Sequence, residues 1–407
     1  VNITFPLGDI SAEVFLRDYW QKKPLLIRNA IPGFVSPVGA DELAGLACEE
    51  EVESRLIRFD ADKDEWQMMQ GPLDEAVFSE LPPSNWTLLI QAVDHWAPQA
   101  HELLRRFSFI PNWRIDDLMI SYAVDGGGVG PHYDNYDVFL LQASGKRRWE
   151  IGGTYDEHAP RREDAPVMIL PEWQAEESWV LEPGDMLYLP PRIGHNGVAV
   201  GDDCITCSIG FRAPAHHEML RGFSDFAGER LGHDARYSDP DLPLQQDPGE
   251  ITAAALDKAR QELLDILQNR ELFAAWFGEF VTEPKYPELA AEPGDSVSEE
   301  ELLAFLNDGG CLYPSEGCRL AWMDQSFPDQ SFPDQNQTRL LFADGQCYPL
   351  TSNAAKVLAS HLGHYLSISL EDLDDVADAQ SLHLICELLK RGLLHAGDDE
   401  EADSAFE

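Results

Sequence analysis

HYDNYDVFLLQASGKRRWEIG (132–152) and, after a spacer, EPGDMLYLPPRIGHNG (182–197) decide how this chain is read. Side chains alternate along a β-strand, so His132 and Asp134, two positions apart, share a face and can bind one metal ion together. His195 in the second run can close that face. Two imidazoles and one carboxylate on one side of an octahedron leave the other side open, the arrangement of non-haem Fe(II) oxygenases. Alone, His-x-Asp reads as a polar turn. It gains weight from the apolar strand after Asp134, from the Pro-stopped strand before His195, and from a separation that suits a jelly roll, where distant strands become neighbours.

The second element is Lys146-Arg147-Arg148-Trp149. Alternation places Arg147 and Trp149 on one face and Lys146 and Arg148 on the other, so at least one cation is aimed into the barrel. A buried guanidinium needs an anion, and a carboxylate gripped by both arms of the fork is its best geometric partner. On chemistry alone that partner is either a ligand or one of the chain's own many acids.

Outward from these runs, DLMISYAV (117–124), ESWVLEPG (177–184) and DCITCSIGF (203–211) are further short β-rich stretches punctuated by Gly, Pro and Asp, the pattern of an all-β barrel or jelly roll. Before them, helical periods mix with strands: Ser11 opens a helix through Tyr19 and Trp20, Arg55–Phe59 reads as a strand, and 83–96 reads as turn, strand, then helix. After Pro214 the texture is helical, with Leu256, Leu263, Leu264, Leu267, Leu272 and Phe273 forming apolar stripes that are either core or a dimer surface. A Pro- and acid-rich stretch (282–296) marks a boundary. Beyond it, Ser298 with Glu301 forms a capping box, Gly309-Gly310 supplies the stop, 338–350 reads as a hairpin turning at Asp344-Gly345, and two more helices follow in winged-helix order.

The chain has 407 residues and a net charge of −44, from 29 basic and 73 acidic side chains. Such a charge repels phosphate backbones and attracts basic partners, and the last helix carries only Lys390 and Arg391, so nucleic acid is not expected as a direct ligand. Seven scattered cysteines do not make a disulfide framework and fit a reducing cytoplasm. No export signal and no apolar run long enough to span a membrane is present, and Val1 is consistent with a trimmed initiator or leader. Several features carry no function in this reading. GGGVGP (126–131) lacks the ending of a phosphate loop and reads as a bare-backbone turn at the site mouth. Cys204 and Cys207 fall on opposite strand faces, and Cys311 with Cys318 has no matching pair, so all read as structural thiols. His216-His217 marks a helix start, the tandem DQSFP (324–328 and 329–333) is a duplicated loop insertion, and 398–407 is a solvated acidic tail.

With HYDNYDVFLLQASGKRRWEIG, GGGVGPH and EPGDMLYLPPRIGHNG in view, the chain resembles the JmjC ribosomal oxygenases, and within them the bacterial arginine-hydroxylating branch. The resemblance implies an α+β chain. A double-stranded β-helix of the JmjC/cupin jelly-roll type with an N-terminal extension occupies 1–214, a helical dimerisation region 215–295, a winged helix 296–397 and the acidic tail 398–407. It places Fe(II) on His132, Asp134 and His195, the distal carboxylate of 2-oxoglutarate on Arg147, a further polar contact on Ser208, and O2 as the other co-substrate. The implied substrate is an arginine, hydroxylated at C3, in a basic ribosomal protein of the large subunit. Tyr136 on the metal face would pack its stem. Asp125 sits by the Gly-rich mouth. Asp137, opposite Asp134 on an ideal strand, lines an outer groove unless the strand bulges. Histidine hydroxylases share the triad and other JmjC proteins are N-methyl demethylases, so the target group stays open at this point. A non-enzymatic cupin or winged-helix regulator is disfavoured by the intact triad and by the charge.

Overall fold

The computed structural model describes residues 4–289, 294, 296–325, 338–373 and 377–398. The chain divides into two compact units, one running to Ala213 and one from Pro214.

The first unit opens with α1 (Ala12–Asp18), capped by Ser11, whose hydroxyl accepts from the Val14 amide. Then follow β1 (Leu25–Ile27), α2 (Ala40–Leu46), β2 (Ser54–Asp60), β3 (Glu65–Gln70), α3 (Glu75–Ser79), β4 (Trp86–Ile90) and α4 (Pro98–Arg105). The barrel strands are β5 (Ile115–Ala123), β6 (Asp137–Ser144), β7 (Arg147–Thr154), β8 (Glu177–Leu181), β9 (Met186–Leu189), β10 (Ile193–Ala199) and β11 (Cys204–Phe211). They form a large antiparallel sheet, β1-β9-β6-β11-β5-β4-β2-β3, and a small one, β10-β7-β8.

β6 shows why its sequence is an unbroken apolar run. Val138 and Leu140 point into the barrel, against Trp149, Ile151 and Leu181 of the small sheet. Phe139 and Leu141 point outward into a core shared with Phe15 and Phe107. Both faces of the strand are therefore dry, and alternation between apolar and polar residues is lost. Phe15 locks α1 to this outer face, its ring centred 4.9 Å from Tyr188 and 5.4 Å from Phe139.

Two boundaries differ from the sequence reading. β6 starts only at Asp137, so residues 133–136 lie outside any strand and the ideal alternation from His132 does not apply there. His195, expected just past a strand, lies within β10, where the pairing with β7 shifts register between Ile193 and His195. Such a bulge re-aims a side chain.

The second unit begins with α5 (His216–Arg230), α6 (Ala253–Leu267) and α7 (Arg270–Val281), the helices expected after the barrel. Next come α8 (Glu299–Asn307), β12 (Gly310–Pro314), β13 (Leu320–Asp324), β14 (Arg339–Ala343), β15 (Gln346–Leu350), α9 (Asn353–Leu362), α10 (Leu370–Leu373), α11 (Ala379–Lys390) and β16 (Leu394–Asp398). Ser298 and Glu301 make the reciprocal capping bonds. Asp344 and Gly345 both take positive φ, 43° and 71°, as a two-residue type I′ hairpin demands. Most of the DQSFP repeat, and the tail beyond Asp398, lie outside the described residues. All seven cysteines are free thiols.

The Gly-rich turn ahead of His132 is bare for steric reasons. A Cβ on Gly127 would strike the Trp86 carbonyl, and one on Gly128 the Gly197 carbonyl of β10, while Gly126 and Gly130 sit at φ of +74° and +78°. Neither carbonyl can swing away as a side chain could. Gly128→Ala is therefore expected to destabilise the first unit by roughly 1–3 kcal/mol, the usual cost of overpacking a tight interior. A chemical-denaturation midpoint equal to that of the parent chain would contradict this.

Candidate metal centre

His132 and His195 face each other as an isolated antiparallel pair, each amide donating to the other's carbonyl, at 2.9 and 2.8 Å. This exchange fixes their side chains on the same face, with ring centroids 4.3 Å apart. The Nδ1 atoms lie 2.8 Å from the Gly130 carbonyl oxygen for His132 and 3.0 Å from that of Ile193 for His195. A carbonyl can only accept, so each Nδ1 carries the proton and each Nε2 presents a lone pair. Asp134 joins them from the segment before β6. Its carbonyl accepts from the Arg192 amide at 2.6 Å, and its Oδ2 lies 3.9 Å from His132 Nε2 and 3.5 Å from His195 Nε2.

The three ligand atoms all lie within 4.8 Å of one another. His195 is buried, and burial, together with the neighbouring His132, pushes its pKa down to about 4. It is neutral at physiological pH and cannot neutralise the Asp134 carboxylate by protonation. The two imidazole Nε2 atoms and the Asp134 carboxylate make a donor set that fits a divalent cation and leaves one side of its coordination sphere open. The metal face anticipated from i, i+2 alternation is present. Its cause is the His132–His195 bridge, since Asp134 is not in a strand.

The triad opens into a cavity of about 450 Å³. Arg147 lines it from β7 and is only 4% exposed, whereas Arg148 points to solvent and pairs loosely with Glu150 at 3.6 Å. Nε and Nη2 of Arg147 are buried without a hydrogen-bond partner, and no carboxylate of the described residues pairs with it. The structural salt bridge that the acid surplus made easy to imagine is therefore not formed. Ser208, buried on β11, lines the cavity beside Thr206, whose hydroxyl donates to Gln142 at 3.1 Å. Tyr136 lines it at the mouth, 43% exposed.

Two expected substrate contacts are elsewhere. Asp137 is fully buried at the start of β6 and accepts from Tyr188 Oη at 2.6 Å and Gln21 Nε2 at 2.8 Å, with Arg114 at 3.5 Å. It is a structural anchor and lines no groove. Burial raises its pKa, against the lowering effect of those donors. Asp125 does not line the cavity; its carboxylate accepts from the Gly201 amide at 2.8 Å and holds the turn between β10 and β11. Conversely, Arg55, Met68 and Gln70 from β2 and β3, and Met168 from the long β7–β8 connection, line the cavity without having been singled out. Thr206 could have been found, since it precedes Ser208 by two positions on one strand. The others depend on long-range packing that leaves no local signal.

Residues 102–219 match the JmjC domain family and residues 265–395 the ROXA-like winged helix family. The chain is 39% identical to the ribosomal protein uL16 3-hydroxylase of Escherichia coli over 308 residues, covering 75% of this chain and 80% of that protein. It is 36% identical to a probable ribosomal oxygenase of Haemophilus influenzae, covering 77% and 79% of the two chains. Its fold superposes on the E. coli ribosomal oxygenase YcfD in complex with cobalt and 2-oxoglutarate with a TM-score of 0.82 and 32% identity, over 96% of this chain and 99% of that one. With its His-Asp-His centre and its barrel and winged helix in the same order, the chain belongs to the JmjC ribosomal oxygenases, enzymes dependent on Fe(II) and 2-oxoglutarate.

Proposed function

We propose that this oxygenase hydroxylates an arginine at C3 in the large-subunit ribosomal protein uL16. The substrate is drawn from the likeness to the E. coli uL16 3-hydroxylase. The roles in the cavity rest above all on one observation, the buried guanidinium of Arg147 with partnerless nitrogens.

Iron with 2-oxoglutarate and O2 supplies the oxidising power to insert one oxygen atom into an unactivated C–H bond, releasing succinate and CO2. His132, Asp134 and His195 would hold the iron, and Arg147 the distal carboxylate of the co-substrate, with Ser208 as a further polar neighbour. A bidentate guanidinium–carboxylate pair fixes orientation as well as affinity. Val138, Leu140 and Trp149 line the inner cavity and exclude water, and Tyr136 at the mouth offers an aromatic face to a cationic side chain. The −44 charge favours encounter with a basic protein and disfavours nucleic acid. Consistent with that, Arg391, one of the two cations ending α11, is turned inward onto the Tyr348 hydroxyl at 2.5 Å.

The same reading treats 1–214 as the catalytic part, 215–295 as a dimerisation region, 296–397 as a winged helix and 398–407 as an acidic tail. In support of a homodimer, α6 buries no residue, and Leu256 and Leu263 are each 65% exposed. No helix among the described residues is long and apolar enough to cross a membrane, and the free thiols suit a cytoplasmic enzyme.

Incubation of recombinant uL16 with the iron-loaded enzyme, 2-oxoglutarate and air should add one oxygen atom, localised by fragmentation to the β-carbon of an arginine. Formaldehyde from a methylated peptide, with unmodified uL16 left unchanged, would replace hydroxylation by demethylation. His132→Ala and Asp134→Ala should each abolish stoichiometric iron binding and turnover while leaving the thermal transition near its parent value, because these side chains make no core packing. Co-substrate consumption at the parent rate in either variant would remove the triad from the mechanism. Arg147→Ala should weaken 2-oxoglutarate binding by about 2–5 kcal/mol, the range for truncating one partner of a buried charge pair, and Arg148→Ala should leave it unaltered. Calorimetric titration of the two variants side by side checks this, and equal losses would refute the inward assignment of Arg147.

A further inference from the structure

Buried N–H groups without acceptors are rare in folded proteins, and several on one wall of one cavity describe the ligand that the wall is built to meet. Trp149 supplies such a group. It is 5% exposed, lines the cavity, and its indole Nε1 is buried with no hydrogen-bond partner. Arg147, two residues earlier on β7 and so on the same face, presents its own partnerless Nε and Nη2, with the guanidinium carbon 5.7 Å from the centre of the Trp149 ring.

The orientation of the indole is set by its neighbours. On β10 the residue opposite Trp149 is Gly197, and a Cβ there would overlap the Cε3, Cζ3 and Cη2 atoms of the ring. The six-membered ring therefore lies face-on against the bare backbone of Gly197, where any side chain would displace it. His195 flanks the ring, with centroids 6.0 Å apart, but its Nδ1 is already committed to the Ile193 carbonyl.

We infer that the indole N–H of Trp149 is a second donor to the distal carboxylate of 2-oxoglutarate, beside Arg147. The inference rests on the reading of Arg147 given above. The chemistry matches: a carboxylate has about four lone-pair directions, a guanidinium fork fills two, and a neutral N–H satisfies another without adding charge. Without that donor, one carboxylate lone pair facing this wall would be desolvated and unmet. Trp149 would then be a binding residue, and Gly197 the small residue that gives its ring room.

The test uses the full chain loaded with Zn(II) in place of iron, uniformly labelled with 15N, and reads the indole N–H resonances during titration. Trp149→Phe identifies the Trp149 resonance by its loss. That resonance should move downfield on addition of 2-oxoglutarate and of succinate, which share the distal carboxylate, and stay in place with pyruvate, which lacks it. Trp149→Phe should raise the Kd for 2-oxoglutarate and succinate about tenfold, as expected for removing one hydrogen bond to a charged acceptor, and leave pyruvate binding unchanged. A Trp149 resonance unmoved at saturating 2-oxoglutarate, or parent affinity in Trp149→Phe, would overturn the inference. Arg147→Ala is titrated in parallel: if it binds 2-oxoglutarate like the parent, the reading of Arg147 fails, whereas loss there with no effect at Trp149 removes this inference alone. Should Trp149→Phe not fold, triple-resonance assignment of the parent chain allows the ligand-induced shift to decide.

Discussion

The two main-chain hydrogen bonds between His132 and His195 are the constraint on which the site depends. Neither residue belongs to a regular ladder with the other, and four strands, β6 to β9, separate them in sequence. Only closure of the barrel brings them together, and only an exchanged pair of N–H···O bonds places both rings on one side. Each Nδ1 then finds a carbonyl two residues back in its own chain, Gly130 or Ile193, so the tautomer is set by local backbone without help from another side chain. Glycine at 128 and the register shift at 193–195 make that approach possible.

Around this pair the barrel supports an arrangement that is unfavourable taken by itself. Two lone pairs face a carboxylate, and in the same cavity two nitrogens of a buried guanidinium have no hydrogen-bond partner among the described residues. Leaving a charged group desolvated and unpaired costs several kcal/mol, and it survives only in a framework with stability to offset it. The framework is the doubly buried β6, pressed between the small sheet on one side and the aromatic cluster around Phe15, Phe107 and Phe139 on the other. Asp137 adds a polar lock at the start of the same strand, tied to Tyr188 and Gln21. Cation and anion sites thus sit at opposite signs within one cavity, each incomplete alone, which is what a dicarboxylate bridging metal and arginine would satisfy.

Much of this was legible in the sequence because it follows local periodicity. That Arg147 and Arg148 fall on opposite faces is the pleat of one strand, with the family resemblance choosing Arg147 as the inward one, and the Ser298–Glu301 box and the Asp344-Gly345 turn are bonds within a few residues. The face expected for the His-Asp-His cluster exists for a partly different reason than alternation: 133–136 are not in a strand, and the pairing of His132 with His195 takes its place. That shift also explains Asp137. Placed by parity at an outer groove unless the strand bulges, it is the first residue of β6 and turns into the outer core, where Tyr188 and Gln21 donate to it. Asp125 had the right neighbourhood in sequence but spends its carboxylate on a turn. The wall formed by Arg55, Met68, Gln70 and Met168 depends on how strands far apart in sequence stack, and no window of residues encodes that.

The charge of the chain and the charge of the cavity are separate matters. Among the residues lining the cavity the acids are Glu53 and Asp134 and the fixed cations Arg55 and Arg147, so the lining is close to balanced although the whole chain stands at −44. A surplus of acids placed in the lining would compete with 2-oxoglutarate for Arg147 and repel it from the cavity. A surplus kept on the surface leaves the dicarboxylate its site while still attracting a basic protein over distances of about a Debye length, roughly 8 Å at physiological salt. The proposed basic substrate and the dicarboxylate bear opposite charges, and a single uniformly acidic surface and cavity could not favour both. Partition of the charge resolves that conflict: the interior presents separate anionic and cationic groups for the small co-substrate, and the exterior supplies the long-range field for the large one.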